Sequence, residues 1–325
     1  MQYPPPLNDL RGHRSRVRRA VESGDQEAAL SAALDGAAAA LGAGDRHSAW
    51  EFQDSAADAL HAMDRYREML DLAHSMDQAA ALLGDAVLRA RSLVQAAVAQ
   101  RCLGRLPSAI GAARESLRLL DQVPEHADAR ARAYQALMAA LVEDGQTSEA
   151  WDLRTGLVPL LGDHVDEQSA GKGFWTLGNL AFMVEDIERG LEYHRLASTH
   201  LSPRNDIQLW ARFNKASADL QLMSGIAIEQ TRDCIDRAQL AHEVMETTEM
   251  DRVGLAVTRA RWGLATGNQD AAQRVIEQAT SDLEDPDAAY LIPAYLVWAE
   301  SLSALRPHEA EIKRAEAARI ERLAT

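Results

Sequence analysis

Ten histidines (13, 47, 61, 74, 126, 164, 194, 200, 242 and 308), two cysteines and 49 carboxylates are this sequence's stock for acid–base, nucleophilic or metal chemistry. Their spacing does not organise them into a reaction centre. The closest histidine pair, His194 and His200, lies six residues apart, on roughly opposite faces of one helix, so no metal ligand pair is expected. Asp58 with His61, and Glu192 with His194, are the nearest base-and-carboxylate neighbours, and both pairs fit ordinary helix surface. Cys102 and Cys234 stand 132 residues apart in helical patterns, which suggests neither a disulfide framework nor a zinc cluster and fits a reducing compartment. There is no GxGxxG after a strand, no phosphate loop, no HExxH and no GxSxG, so enzymes built on those motifs are excluded. The expectation is a protein with no catalytic residues, no metal and no cofactor.

Attention then passes to the elements that would carry any binding surface. In Phe174 to Ser202, FWTLGNLAFMVEDIERGLEYHRLASTHLS, the residues Phe174, Leu177, Gly178 and Ala181 recur at i, i+3, i+4 and i+7, one stripe of a helix. A polar break at Glu185 and Asp186 follows. Gly190, His194 and Ala197 then form the inner stripe of a second helix, which Pro203 stops. An aromatic, Leu-Gly, a small residue, and a second helix with small residues facing the first together resemble a tetratricopeptide repeat. Aligning Ala97, Met138, Gly178, Ser217, Ala260 and Trp298 gives spacings of 41, 40, 39, 43 and 38. Repeats of that length are similar to the sensor domains of bacterial regulators, peptide-pheromone receptors and large transcriptional activators among them. The likeness covers Leu93 to Leu323 well and the first 90 residues loosely.

Composition agrees with an all-α chain. Hydrophobic residues make up 47% of the 325 but aromatics only 5%, so Ala, Leu and Val must fill the core, and no alternating strand run appears. The expected fold is a right-handed superhelical α-solenoid of about eight antiparallel hairpins. An extended lead-in over 1–7, with three consecutive prolines, precedes a single domain over 8–325. Its hairpins span about 8–43, 46–78, 80–122, 127–161, 165–202, 205–244, 248–284 and 287–323. Asn8 or Asp9 caps the first helix, which buries Leu10, Val17 and Val21, and the second packs through Ala28, Leu30, Ala33, Leu34 and Ala37. Glycines 171 and 173 read either as a plain turn or as a loosened hairpin entry.

The resemblance implies that the first helix of each hairpin lines a concave face. Offsetting from the core stripe, the groove candidates are Arg91, Gln95, Val98, Arg132, Gln135, Lys172, Trp175, Asn179, Phe182, Ala211, Asn214, Lys215, Ala218, Gln221, Val257 and Arg261. This set holds five cations and no carboxylate, which suggests a trough of positive potential. Asn179 and Asn214 would donate to and accept from a peptide backbone, and Trp175 and Phe182 would offer flat apolar area. The competing reading makes these solvated residues, with Trp175 packed between repeats.

Net charge is −15, which disfavours direct binding to nucleic acid or an anionic membrane. Residues 1–22 are the exception: Arg11, Arg14, Arg16, Arg18 and Arg19 against Asp9 and Glu22 give +3, leaving −18 elsewhere. That helix could dock on an acidic partner or a second copy. A DNA-reading role competes with it, since related regulators carry a helix-turn-helix domain before their repeats, but the Ser23-Gly24-Asp25 turn fits repeat spacing and favours a capping hairpin. With no signal peptide and no apolar span of about 18 residues, a bacterial cytoplasmic protein is expected. Its function reads as a protein- or peptide-binding scaffold for a partner of acidic character. The alternatives are a peptide-sensing regulator whose solenoid changes shape, or a structural scaffold that oligomerises, a homodimer included.

Overall fold

Aspartate and a residue with left-handed backbone recur at the hairpin ends, and this short-range chemistry sets the element boundaries. Asp25, Asp45, Asp186 and Asp206 each cap a helix by accepting the N–H three residues on, as with Ser48 N to Asp45 Oδ1 at 3.0 Å and Leu209 N to Asp206 Oδ1 at 2.8 Å. At Gly267 (φ 77°) the chain reverses through a conformation in which other residues are crowded. Asp64 (φ 57°) and Glu185 (φ 61°) take the same conformation without being glycine. Glu185→Gly is therefore expected to stabilise the protein by about 0.5–1 kcal/mol, the relieved left-handed strain outweighing the added chain entropy. A raised urea midpoint checks this; a lowered one contradicts it.

The computed structural model describes residues 8–162, 165–281 and 283–324. The expected lead-in over 1–7, the capping side chains of Asn8 and Asp9, and His164 lie outside what is described. The chain forms two compact units, Met1–Ser169 and Ala170–Thr325. In the first, α1 (Asn8–Glu22), α2 (Gln26–Gly42), α3 (Arg46–Ala62), α4 (Tyr66–Leu83), α5 (Ala86–Cys102), α6 (Leu106–Leu120) and α7 (Ala127–Glu143) precede two short pieces, α8 (Thr147–Asp152) and α9 (Arg154–Leu157). The second begins within α10 (Glu167–Met183) and continues through α11 (Ile187–His200), α12 (Ile207–Met223), α13 (Glu229–Val244), α14 (Glu249–Ala265), α15 (Gln269–Ala279), α16 (Ile292–Leu302) and α17 (Pro307–Ala324). Among the described residues there is no strand, and the helices pair as eight hairpins.

Alanine-rich faces let the helices of a hairpin approach closely, and larger side chains fill the space between hairpins. In the first unit, Ala56, Ala57 and Leu60 of α3 meet Met69, Leu70 and Ala73 of α4. Trp50 is buried and donates Nε1–H to Ser92 Oγ on α5 at 3.0 Å. Burying each Leu or Met contributes about 2 kcal/mol.

Several expectations need correction. Val21 and Leu34 are exposed at 54% and 46%. In α2 the buried stripe is Ala29, Leu30, Ala33, Gly36, Ala37 and Ala40, with Ala28 outside; a helix so rich in alanine has little contrast to fix its phase. The second helix of the fourth hairpin is interrupted at Leu153. Its Gly156 lies against the Tyr134 ring, so close that a Cβ would come within 2.9 Å of Cε1. Glycines 171 and 173 are neither turn nor loosened entry, since both lie inside α10, Gly171 against Leu201.

Candidate functional site

The first helices of successive hairpins carry the residues expected to bind. In the first unit they are largely engaged within the protein. Arg91 on α5 donates Nη2–H to Asp54 Oδ2 on α3 at 2.6 Å, and its guanidinium lies 4.6 Å from the Trp50 ring centre. Gln95 Nε2 donates to Asp54 Oδ1 at 2.8 Å and to Asp58 Oδ1 at 3.1 Å. Arg132 is exposed and pairs with Asp128 at 3.2 Å, one turn back on α7. Gln135 is half-buried and its Nε2 has no hydrogen-bond partner. Val98 packs at the edge of the core.

In the second unit the positions divide. Lys172 on α10 is exposed. Trp175 is half-buried, edge-on to Phe213 at 5.7 Å between ring centres, and its Nε1 lacks a partner; it packs against the next hairpin and also keeps some exposed surface. Lys215 on α12 donates Nζ–H to Asp219 Oδ2 at 3.0 Å, while Arg261 (3.3 Å) and Thr258 (2.8 Å) on α14 both donate to Asp219 Oδ1. Two cations thus share one carboxylate, and Lys172 adds a third charge with no ion partner among the described residues. Phe182, Ala211, Asn214, Ala218, Gln221 and Val257 are buried, contrary to expectation. Phe182 is covered by Gly190 and the His194 ring. Asn214 donates Nδ2–H to Trp210 O at 2.8 Å, and its Oδ1 has no partner. A shift of the face by one helical position turned Phe182, Ala211, Asn214, Ala218 and Gln221 inward, while Val257 is buried together with the next residue, Thr258.

A trough free of carboxylates is likewise corrected. Asp54, Asp58, Asp128 and Asp219 stand among its cations. The missed signal was one repeat period: Asp54 to Arg91 is 37 residues, Asp54 to Gln95 is 41, Asp219 to Thr258 is 39 and Asp219 to Arg261 is 42. Neighbouring hairpins place such residues side by side. Positive excess is left on the α10, α12 and α14 face and not on the α3 and α5 face, where Arg91 is paired with Asp54 and Gln95 binds Asp54 and Asp58.

A second arrangement that the sequence reading missed lies beneath that face. Asn179 Oδ1 is 3.0 Å from His194 Nε2, and Ser217 Oγ is 2.8 Å from His194 Nδ1. The Asn carbonyl only accepts, so Nε2 carries the proton and Nδ1 accepts from the serine hydroxyl. Gln221 Nε2 donates to Ser217 Oγ at 3.2 Å and Thr231 Oγ1 donates to Gln221 Oε1 at 2.6 Å, completing a buried chain. Serine, histidine and asparagine in this order are the parts of a nucleophile and its base. His194 and Ser217 have no solvent exposure, however, so no substrate reaches them. Burial pushes the His194 pKa down to about 4, keeping the ring neutral at pH 7.

Gly178 is the small residue that this arrangement requires. A Cβ there would stand 2.7 Å from His194 Nε2 and closer still to Cδ2. Gly178→Ala is expected to cost about 2–3 kcal/mol, since the ring must leave its two hydrogen bonds or overlap the methyl group. A urea midpoint lowered at unchanged slope would bear this out, and an unshifted one would contradict it.

Among the described residues no group of His, Cys, Asp and Glu is placed to hold a metal ion, both cysteines are free, and no helix is long and apolar enough to cross a membrane. The paired helices make an all-α helical-repeat fold of the tetratricopeptide-like type. No family model and no curated protein matches the chain. Solved structures are similar to it in fold. The apo form of the quorum sensor NprR from B. thuringiensis is 13% identical, with 96% of this chain and 87% of that one covered and a TM-score of 0.62. A tetratricopeptide repeat protein from Parabacteroides merdae ATCC 43184 is 14% identical over 96% of this chain and 99% of that one, with a TM-score of 0.47.

Proposed function

We propose that the protein is a non-enzymatic repeat scaffold that binds an acidic peptide or an acidic segment of a partner protein on the α10, α12 and α14 face. The observation that carries this reading is the charge surplus there: Lys172 without an ion partner among the described residues, and Lys215 and Arg261 sharing Asp219, beside the half-exposed Trp175. Partly shielded charges of one sign attract an opposite chain over a Debye length of about 8–10 Å, and an aromatic face adds contact area at little entropic cost. Asn179 is spent on His194 and Asn214 is buried, so the peptide backbone is met by Lys215, Arg261 and Trp175 in place of the two asparagines.

A second reading, a signalling receptor that changes shape on binding a short peptide, is supported by the likeness in fold to a quorum sensor. Calorimetric titration with ten-residue peptides of acidic, neutral and basic composition tests both. Heat with acidic peptides that disappears at high salt supports the face. Heat with none of them, beside stable capture of a whole protein, removes the receptor reading; preference for basic peptides contradicts both.

A further inference from the structure

We propose that a cleft between α13 and α15, floored by α14, is the seat of one partner helix that carries a carboxylate midway along an otherwise apolar stripe. The cleft is distinct from the face described above and lies wholly within the second unit. It consists of two cavities of about 440 and 350 Å³ that share Gln239, Arg259 and Val275, so they run into one another. The floor extends from Arg252 to Thr266 along α14, which is about 20 Å at 1.5 Å per residue, or four turns of a docked helix.

The cause of the opening is the length of α15. It has 11 residues where α13 has 16, and it ends at Ala279. Two walls of helix over a helical floor leave the ridge-and-groove surface that another helix fills. Half-buried Val275 and Ala279 provide apolar lining along it, over Ile235, Leu255 and Ala256, which are nearly covered.

Charge specifies the occupant. Arg259, shared by both cavities, is exposed and has no carboxylate in ion-pair reach among the described residues. The arginines toward either end are loosely held, Arg252 at 4.0 Å from Glu249 and Arg232 at 3.7 Å from Asp236, against 2.6 Å for Arg91 with Asp54. Of the two acidic residues of the lining, Asp236 faces Arg232 and Glu243 accepts from Gln239 Nε2 at 3.2 Å. A guanidinium at mid-cleft takes a carboxylate through paired hydrogen bonds, with apolar side chains one turn to either side meeting the lining. A small inorganic anion would use Arg259 but leave the apolar length of the cleft empty.

Selection from a display library of 14-residue helices, randomised at five positions of one face, tests this on the full chain. The expected result is enrichment of Asp or Glu at the central position with Leu, Ile or Met a turn away on each side. Arg259→Glu should weaken binding at least tenfold, a Lys at the peptide's central position should restore it, and Arg259→Ala should fall between, all three proteins melting alike. Lys172→Glu with Lys215→Gln should leave this binding unchanged, which separates it from the peptide face. No enrichment, enrichment without a carboxylate, equal binding by Arg259→Glu, or a response to inorganic phosphate with no helix selected would each overturn the proposal.

Discussion

Acidifying the protein from pH 7 to pH 4 is expected to remove about 3 kcal/mol of stability through His194 alone. Its folded pKa is depressed to about 4 by burial, against about 6.5 in an unfolded chain. Above pH 6.5 the ring is neutral in both states and contributes no pH dependence. Between 6.5 and 4 the unfolded chain binds a proton that the folded protein refuses, so stability falls by about 1.4 kcal/mol per pH unit. Below 4 both states are charged and this contribution is flat. Burial also lowers the pKa of His242, which adds loss of the same sign. Urea denaturation at half-unit pH steps, on the wild type and on His194→Gln, isolates the ring: the variant should lose most of the slope between 6.5 and 4. An identical slope in the two proteins would mean that the ring is reached by protons in the folded state.

Reversing the charge surplus of the second unit is the other large effect. Lys172→Glu combined with Lys215→Gln changes the face by three charges and leaves Asp219 opposed only by Arg261 and Thr258. Capture of an acidic peptide or protein should weaken by about 100-fold, and its decline with added salt should flatten, since fewer ion pairs remain to be screened. Helicity and melting temperature should barely move, because Lys172 is exposed and the Lys215–Asp219 pair is half-shielded at 32% and 18% exposure, worth less than about 1 kcal/mol. Arg132→Glu in the first unit should have little effect on capture. Equal weakening by Arg132→Glu would spread the binding surface over both units.

The hairpins were legible because their turns use local chemistry: an aspartate cap, a glycine at positive φ and a proline are read over four residues. Gly178 and His194 were legible only as members of the two inner stripes; with Glu192 beside it His194 also fits ordinary helix surface, whereas it is fully buried against Gly178. What escaped is what depends on phase. In α2, alanines on every side hide which stripe is buried. On the candidate face, a register one position off turns Phe182, Asn214 and Gln221 outward, and the same shift conceals Asp219. The pairs Asp54 with Arg91 and Asp219 with Arg261 become visible only when the chain is folded at one repeat period, since they are adjacent in space and about 40 residues apart in sequence. The chain from Asn179 to Thr231 was hidden for another reason: each member is an ordinary polar residue on a different helix, and nothing local distinguishes a buried one.

The most direct test of the central claim is native mass spectrometry of the protein and its Lys172→Glu, Lys215→Gln variant, each purified gently from its source cells. The expected result is a stoichiometric peptide or protein adduct on the wild type that is missing from the variant. A bare chain in both preparations, or an adduct retained in full by the variant, would contradict it.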